Sequence, residues 1–280
     1  MAGTLYIVAT PIGNLDDITK RAIDTLNLVD IIACEDTRVT LKLLNYLNIK
    51  KPLLSYHKYS VKSRESTIIN QLLSGKNIAL VSDAGMPLIS DPGEELINIC
   101  YQEGIKVTVI PGACAFVSAL VISGLSTKNF VFEGFLPKNN RSKKEKLNEL
   151  KNEKRTIVFY EAPHKLIYTL EEMKEYFGSK RRISIVKEIT KLHENVFLTT
   201  IEEAIDFYKS NPPKGEYVLI VEGSHNQVEE IHIEDVNEFI ISKLNENIDK
   251  KQIIKEACEK FNISRNEVYK MILDLQKNNM

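Results

Sequence analysis

The chain has 280 residues, and its 43% hydrophobic and 27% charged residues exclude a disordered, collagen-like or fibrous protein. Its 37 basic and 38 acidic residues give a net charge of −1, so any surface that binds a nucleic acid has to be local. A chain of this length is typical of two domains with a small addition.

Residues 4–124 alternate β-branched or apolar runs with amphipathic stretches, which is typical of alternating strands and helices. The predicted strands are LYIVA, VDIIACE, IALVSD and IKVTVI. The helices predicted after them are ITKRAIDTL, 37–46, GEELINICYQE and ACAFVSALVI. Because a run such as IALVS is apolar on both faces, we expect a mostly parallel sheet with helices on both sides, in an N-terminal α/β domain over residues 1–124.

A second α/β domain is predicted over residues 125–225. Its strands are NFVFEGF, RTIVFYEA, RISIVKEI, NVFLTTI and EYVLIVEG, and its helices cover 143–151, 163–176 and 202–209. Only a few residues separate the strand that ends near Glu188 from the one that begins near Asn195, so antiparallel pairs in a mixed sheet are expected. The link at 124–128 is short, which predicts two closely packed domains with a ligand cleft between them.

Residues 226–280 contain no β-rich run and show three helical patterns, IEDVNEFIISKL, KKQIIKEACEKF and SRNEVYKMILDL. Ser264 followed by Glu267 predicts a capping box at the start of the third pattern. A small C-terminal helical domain of helix-turn-helix type is therefore expected. Its eight basic and eleven acidic residues argue against a helix that reads DNA, and leave docking on a larger particle or packing as alternatives.

Four strand-to-helix loops of the first domain should meet, because such loops leave a parallel sheet from the same carboxyl edge. They are TPIGNLDD, CEDTR, SDAGMPLISDPG and PGACA. Tight turns and helix caps are the plain alternative for three of them. SDAGMPLISDPG favours a ligand-binding loop, because it carries two aspartates, two glycines and two prolines after an apolar strand. Neither GxGxxG nor a phosphate loop with its lysine is present, so a nucleotide pyrophosphate site is not indicated.

Seven motifs, taken in order over residues 4–223, resemble the tetrapyrrole-methylase superfamily: ATPIGNLDDIT, ACEDTR, LVSDAGMPLISDPG, VIPGACAFVSAL, FYEAPHKL, KEITKLHE and GEYVLIVEG. The resemblance implies the class III methyltransferase fold, with two α/β domains, S-adenosylmethionine in the cleft, and a homodimer. Precorrin methylases and diphthine synthase usually have a first loop of Gly-Pro-Gly-Asp type. This chain has Pro-Ile-Gly-Asn there, which points away from a tetrapyrrole substrate. It more closely resembles the bacterial enzymes that methylate a cytidine ribose 2′-hydroxyl in 16S ribosomal RNA, so the implied partner is the 30S subunit.

The resemblance also implies the residues that bind the cofactor. The loop that holds its methionine end comprises Ser82, Asp83, Ala84, Gly85, Met86 and Pro87. The second cofactor loop comprises Pro111, Gly112, Ala113, Cys114 and Ala115. The second-domain strand that closes over the adenosine carries Tyr160, Glu161 and Ala162. Further contacts are expected on the strand around 217–219.

Methyl transfer from a sulfonium to an oxygen is an in-line displacement that needs no metal, so the protein mainly positions the reactants and takes up the hydroxyl proton. The catalytic candidates are Glu35, Asp36, Glu161, Lys187 and Glu188. Our hypothesis is that Glu35 or Glu188 orients or deprotonates the hydroxyl, while Arg38 and Lys187 hold RNA phosphate. For Asp36 the alternative is a helix cap paired with Arg38. For Lys187 and Glu188 it is an ordinary strand-end charge.

A segment over 138–155 holds eight basic and three acidic residues, a local charge of +5 that suits RNA phosphate. Its predicted RNA contacts are Arg141, Lys143 and Lys144, and the alternative is a solvated helix face. Two other functions stay open. One is methylation of a tetrapyrrole or a protein side chain by the same scaffold, and the other is a non-catalytic role in RNA binding or ribosome assembly.

The four cysteines are far apart and have no CxxC spacing, and the five histidines have no metal spacing. No disulfide, zinc site or other metal site is therefore predicted, and a reducing cytoplasm is the expected compartment. The sequence shows neither a secretory signal pattern nor a run of about eighteen apolar residues, so we expect no secretion and no membrane span.

Overall fold

A computed structural model describes residues 1–57, 61–224, 233–246, 248–261 and 264–278. The chain divides into two compact units, Met1–Ser224 and His225–Met280. The first unit contains two five-stranded sheets with their helices, and the described part of the second is helical. Two sheets with their helices and a C-terminal helical part confirm the predicted fold class. The predicted domain boundary at residue 124 falls inside the first unit and stays a prediction. Within the described ranges, no helix is both long and apolar enough to cross a bilayer.

The first sheet is parallel throughout, as predicted. Its strands are β1 (Thr4–Val8), β2 (Ile31–Cys34), β3 (Leu53–Ser55), β4 (Ile78–Val81) and β5 (Lys106–Ile110). They lie in the order β3-β2-β4-β1-β5. The helices that follow these strands are α1 (Lys20–Leu28), α2 (Thr37–Tyr46), α3 (Val61–Leu73), α4 (Glu94–Gln102) and α5 (Ala115–Ile122). All five strand-to-helix connections therefore leave from one carboxyl edge.

Both faces of this sheet are covered. Along β4, Ile78 and Leu80 belong to one buried cluster, and Ala79 and Val81 belong to another. Successive side chains of a strand point to opposite faces, so each cluster covers one side of the sheet. This explains why IALV reads as continuously apolar.

Strand β3 and helix α3 were not predicted from the sequence. β3 has only three residues, too few to show a period of two. In α3 the buried apolar residues Ile68, Ile69 and Leu72 all lie in the second half of the helix. They span too few turns to show a clear helical period in the sequence. β3 is held by its pairing with β2, and the buried residues of α3 pack in one cluster with Leu5 and Ile7 of β1.

The second sheet is mixed, also as predicted. Its strands are β6 (Phe130–Phe135), β7 (Thr156–Glu161), β8 (Arg182–Lys187), β9 (Asn195–Thr200) and β10 (Tyr217–Val221). They lie in the order β6-β7-β10-β8-β9, and only β6 and β7 are parallel. Its helices are α6 (Asn140–Leu150), α7 (Leu166–Phe177) and α8 (Ile201–Ser210). Their apolar residues share one buried cluster with Ile157 and Phe159 of β7.

Helix α5 belongs to the first sheet by sequence but packs on the second. Its Ala119 and Leu120 share a buried cluster with Val158 of β7 and Ile220 of β10. Ile12, which follows β1, joins the same cluster. The two sheets of this unit are therefore joined by a shared apolar core as well as by the chain.

The second unit is a small helical bundle. It contains α9 (Ile233–Asn245), α10 (Lys250–Phe261) and α11 (Arg265–Asn278). Its buried cluster comprises Val236, Ile240, Ile253, Ala257, Val268 and Ile272. The predicted capping box is confirmed, because Glu267 N–H donates to Ser264 Oγ at 3.3 Å and Ser264 N–H donates to Glu267 Oε2 at 3.1 Å.

Candidate functional site

A cleft of about 570 Å³ opens between the two sheets of the first unit. Residues that follow β1, β4 and β5 form one wall, and residues of β7, β8 and β10 form the other. The volume is within the range of small-molecule sites. Eight predicted cofactor residues line this cleft: Ala84, Gly85, Met86, Cys114, Ala115, Tyr160, Glu161 and Ala162. The other six lie outside its lining: Ser82, Asp83, Pro87, Pro111, Gly112 and Ala113.

The loop after β4 has an unusual backbone. Gly85, Leu88, Ser90 and Gly93 all have positive φ, with values of 85°, 71°, 70° and 136°. For Leu88 and Ser90 this conformation costs free energy that the surrounding structure has to offset. Strained residues of this kind concentrate at functional sites, which fits the position of the loop in the cleft wall.

Hydrogen bonds fix this loop against β1. Thr10 N–H donates to Gly85 O at 2.9 Å, and Gly85 N–H donates to Thr10 O at 3.1 Å. Ser82 Oγ lies 3.2 Å from both Ala84 O and Gly85 O. Ser82 therefore shapes the loop from behind.

The end of β7 supplies an aromatic ring and a carboxylate. Glu161 is buried and accepts hydrogen bonds from Thr169 Oγ1 at 2.6 Å and from Ala162 N–H at 2.8 Å. Tyr160 accepts a hydrogen bond from Phe116 N–H at 3.2 Å. Burial raises the pKa of Tyr160 to about 12, further above neutral pH than the ordinary tyrosine value.

Next to the cleft wall formed by β7, β8 and β10, Lys191 pairs with two glutamates. Its ammonium lies 3.0 Å from Glu188 Oε1 and 2.7 Å from Glu216 Oε2, and Glu216 N–H donates to Glu188 Oε1 at 2.8 Å. We call Glu188, Lys191 and Glu216 the Lys191 clasp. Partial burial acts to raise the pKa of Glu188, but the Lys191 ammonium and the Glu216 N–H outweigh it, so this pKa lies below its usual range.

The loop after β8 also binds the loop after β1. Asn14 N–H donates to Thr190 Oγ1 at 3.2 Å. A Cβ on Gly13 would lie 2.5 Å from Lys191 Cγ and 2.8 Å from Thr190 Oγ1, so no larger residue fits there without movement. Glu188 and Thr190 have positive φ, at 51° and 66°. Residues of the KEITKLHE motif in the second-sheet half of the unit therefore contact the loop after β1 in the first-sheet half.

We expect Lys191→Met to destabilise the Lys191 clasp and the fold around it. Glu188 would lose a charged hydrogen-bond partner in a partly buried position, at a cost of about 1 kcal/mol. For a unit of this size the melting temperature should fall by about 2–4 °C at pH 7, measured by scanning calorimetry. Lys174→Met is the matched control, because Lys174 pairs with Glu202 at 2.8 Å on an exposed surface of α7 and α8, where the effect should be smaller.

The pH dependence checks the cause. A lowered pKa means that ionised Glu188 stabilises the fold above its unfolded value of 4.5, and that this contribution is lost as the pH falls through the lowered value. The difference in melting temperature between wild type and Lys191→Met should therefore narrow as the pH falls below 4.5. A difference that is constant with pH would contradict the role given to the Glu188 carboxylate.

Of the five catalytic candidates, only Glu161 lines the cleft. The other four lie outside its lining: Glu35, Asp36, Lys187 and Glu188. Asp36 accepts from Arg38 N–H at 2.8 Å and pairs with the Arg38 guanidinium at 2.6 Å. These contacts lower the pKa of Asp36 to about 2, and Asp36 caps α2, as the plainer alternative predicts. Lys187 ends β8 opposite Tyr217 and Asn195.

Glu35 lies in a small recess next to the cleft. The recess is lined by Glu35, Tyr56, Leu80, Val81, Ser82, Pro87, Asp91 and Pro92. Asp91 also lines the cleft. Two predicted residues, Ser82 and Pro87, are therefore on the recess side of the loop rather than on the cleft side.

The predicted RNA contacts differ in their surroundings. Arg141 and Lys144 are exposed, and Arg141 pairs with Glu145 at 2.9 Å. Lys143 is only 8% exposed, pairs with Glu172 at 2.6 Å and lies 4.3 Å from the Tyr168 ring centroid. The prediction for Lys143 is corrected, because a buried ammonium with a buried carboxylate partner is not presented to RNA. The sequence of α6 does not indicate this, because Lys143 on the buried face cannot be told from the exposed lysines beside it.

Part of the cleft lining was not predicted from the sequence. Ile89, Ser90, Asp91, Phe135, Pro163, His164, Val186, Ile189 and Glu216 line it without having been predicted. The SDAGMPLISDPG motif contains three of these residues, so its full length was the available signal. No group of three or more histidine, cysteine, aspartate or glutamate side chains suited to a metal ion occurs in the part of the chain that is described.

Known proteins are similar to this chain in sequence. The family described as Tetrapyrrole (Corrin/Porphyrin) Methylases matches residues 4–205. Ribosomal RNA small subunit methyltransferase I of a Synechocystis species is 42% identical over 98% of this chain and 99% of its own length, and its namesake in Bacillus subtilis is 44% identical over 95% and 93%.

Solved structures of tetrapyrrole enzymes have the same fold. A cobalt precorrin-4 methyltransferase aligns with a TM-score of 0.60 at 18% identity, over 78% of this chain and 94% of that one. Uroporphyrin-III-C-methyltransferase of Thermus thermophilus aligns with a TM-score of 0.54 at 19% identity, over 79% and 94%. With the family match over most of the first unit and these full-length relatives, the chain belongs to the tetrapyrrole methylase family.

Proposed function

We propose that the protein is an S-adenosylmethionine-dependent methyltransferase that acts on the ribose 2′-hydroxyl of a cytidine in 16S ribosomal RNA. The observation that carries the cofactor part is that the loops after β4 and β5 and the end of β7 line one cleft. The RNA part rests on relatives of 42–44% identity over nearly the whole chain that are named small subunit ribosomal RNA methyltransferases. A substrate in the small ribosomal subunit implies a cytoplasmic protein.

The chemistry of the cleft fits this cofactor. S-adenosylmethionine has two positive centres, its sulfonium and its ammonium. The described lining includes the carboxylates Asp91, Glu161 and Glu216 but no lysine or arginine. Apolar residues such as Ile12, Met86 and Val218 supply most of the remaining wall. Glu216 is already paired with Lys191, so the buried carboxylate of Glu161 carries the preference for a cationic ligand of moderate size.

The bound cofactor would supply an electrophilic methyl group, and the chain would supply position and proton transfer. We assign Gly85 and Met86 to the methionine end and Tyr160 with Ala162 to the adenosine. Glu35 is the proposed proton acceptor, because it lies in the recess that shares Asp91 with the cleft. Glu188 is proposed as a positioning residue, since its carboxylate is engaged in the Lys191 clasp.

Contacts to RNA phosphate are proposed for Arg38, Arg141 and Lys144. All three guanidinium or ammonium groups are on exposed residues. Phosphate contacts of this kind weaken as salt rises, because bound counterions are released. Lys143 is not among these contacts, because it is buried and paired with Glu172.

We also propose a homodimer. Seven of the eight residues of α5 are apolar, and of these Val117, Val121 and Ile122 are exposed, as is Val109 of the edge strand β5. Such a patch calls for a protein cover. Val121→Glu is expected to shift a dimer to a monomer in size-exclusion chromatography with light scattering. A wild-type protein that is monomeric at micromolar concentrations would contradict this part.

The function is tested by methyl transfer. Purified protein is incubated with methyl-labelled S-adenosylmethionine and with 30S particles that lack this methylation, and in parallel with naked 16S RNA. Label is expected in the RNA fraction, with the two arms comparing particle and free RNA as substrates. Label in ribosomal protein, or transfer to neither RNA form, would contradict the proposal.

A further inference from the structure

Phe135 is an exposed aromatic residue in the cleft wall. It ends β6, an edge strand of the second sheet, and it is 57% exposed although it lines the cleft. An apolar ring at the mouth of a ligand cleft costs hydration free energy unless a ligand covers it. The ring is therefore available to a molecule that enters from solvent.

A bulge in β6 directs this ring to the cleft. The pairing of β6 with β7 shifts between Phe132 and Gly134, so that Phe132 pairs with Val158 and Phe135 pairs with Tyr160. Val158 and Tyr160 lie on one face, which places Phe135 on the same face as Phe132. In a regular strand, residues three apart would point to opposite faces. Bulges that redirect a side chain are frequent next to active sites.

Close packing on the loop after β4 and ring contacts with β7 support the bulge. Gly134 has a φ of 64°, and a Cβ there would lie 3.0 Å from Ser90 Oγ, so the bulge fits closely against the strained loop after β4. The rings of Phe135 and Tyr160 have centroids 5.5 Å apart at an angle of 56°. Tyr160 itself packs edge-on against Phe132 at 5.1 Å. The Phe135 ring thus has a defined support.

We propose that Phe135 is the platform on which the base of the target nucleotide stacks while its ribose is in the cleft. This inference rests on the proposed function. A 2′-hydroxyl reaches a cleft only if its nucleotide leaves the helical stack, and proteins stabilise such a base by stacking it on an aromatic ring. The ring's exposure suits a polymer that enters from outside.

Cations suited to the flanking phosphates follow directly in the chain. Exposed Lys138 is three residues after Phe135, within about 10 Å along the chain. Arg141 and Lys144, on the first turns of α6, are also exposed. A single-stranded nucleic acid site typically combines an aromatic platform with such a basic track.

The test compares Phe135→Ala and Phe135→Tyr with the wild type. Phe135→Ala should lower kcat/KM for 30S particles by about 10- to 100-fold, mainly through KM, and Phe135→Tyr should restore it to within about threefold. The Kd for S-adenosylmethionine, measured by calorimetry, should change by less than about twofold in both. Phe207→Ala is the matched control, because Phe207 is a 45% exposed ring of α8 outside the cleft lining and its loss should leave kcat/KM unchanged.

Each outcome has a separate meaning. An unchanged kcat/KM in Phe135→Ala would overturn the inference while wild-type methylation of RNA upholds the proposed function. A Kd for S-adenosylmethionine that rises as much as kcat/KM falls would also overturn it, since the ring would then pack on the cofactor. A wild-type protein that methylates no RNA would overturn the proposed function and this inference with it.

Discussion

Replacing Lys143 by methionine is expected to lower the free energy of unfolding by about 3 kcal/mol. The change leaves the buried Glu172 carboxylate without its counter-charge, and removal of one partner of a buried pair typically costs this much. Neither Glu172 oxygen has another hydrogen-bond partner among the described residues. In a unit of this size the melting temperature should fall by about 6–12 °C, measured by calorimetry.

Two further variants identify the cause. Lys144→Met makes the same change of charge on the exposed neighbour and should alter stability by less than about 0.5 kcal/mol. The double variant Lys143→Met with Glu172→Leu removes both charges and should recover most of the loss. A Lys143→Met protein that keeps its melting temperature but binds RNA more weakly would reinstate Lys143 as an RNA contact.

Replacing Gly85 by valine is expected to weaken S-adenosylmethionine binding by about 100-fold or more. Gly85 has a φ of 85°, where a β-branched residue is strained, and its Cβ would lie 3.1 Å from Ile12 Cγ2. The side chain would also enter the cleft and disturb the two hydrogen bonds to Thr10. Titration calorimetry measures the Kd, and each tenfold change corresponds to about 1.4 kcal/mol.

Gly104→Val separates backbone strain from the effect on the cleft. Gly104 has a φ of 65°, and its Cβ would meet nothing within 4 Å. The Gly104→Val protein should lose about 1–2 kcal/mol of unfolding free energy through backbone strain. It should bind S-adenosylmethionine with the wild-type Kd. Normal binding by Gly85→Val would show that the loop after β4 does not hold the cofactor.

The parts of the fold that were predictable have a strong local signal. β4 is apolar on both faces because clusters on both sides bury it, and IALV shows this directly. Ser264 and Glu267 are close in sequence, so their capping box was readable. β3 was not, since three residues carry no period and its place depends on pairing with β2.

The site was predictable only in part for the same reason. Motifs marked the loop after β4, but its division into a cleft side and a recess side depends on how the chain folds back. The contact between Asn14 and Thr190 joins residues 176 positions apart. The bulge that redirects Phe135 depends on pairing with β7. Lys143 is paired with a buried glutamate of another helix, which its own neighbours in sequence do not indicate.

The most direct test of the central claim is the chemical identity of the product. 16S RNA from 30S particles treated with the protein and S-adenosylmethionine is digested to nucleosides and analysed by mass spectrometry. We predict that 2′-O-methylcytidine increases in proportion to the methyl transferred, and that Gly85→Val forms little of it. Methyl groups on a base, on another nucleoside or on a ribosomal protein would contradict the account.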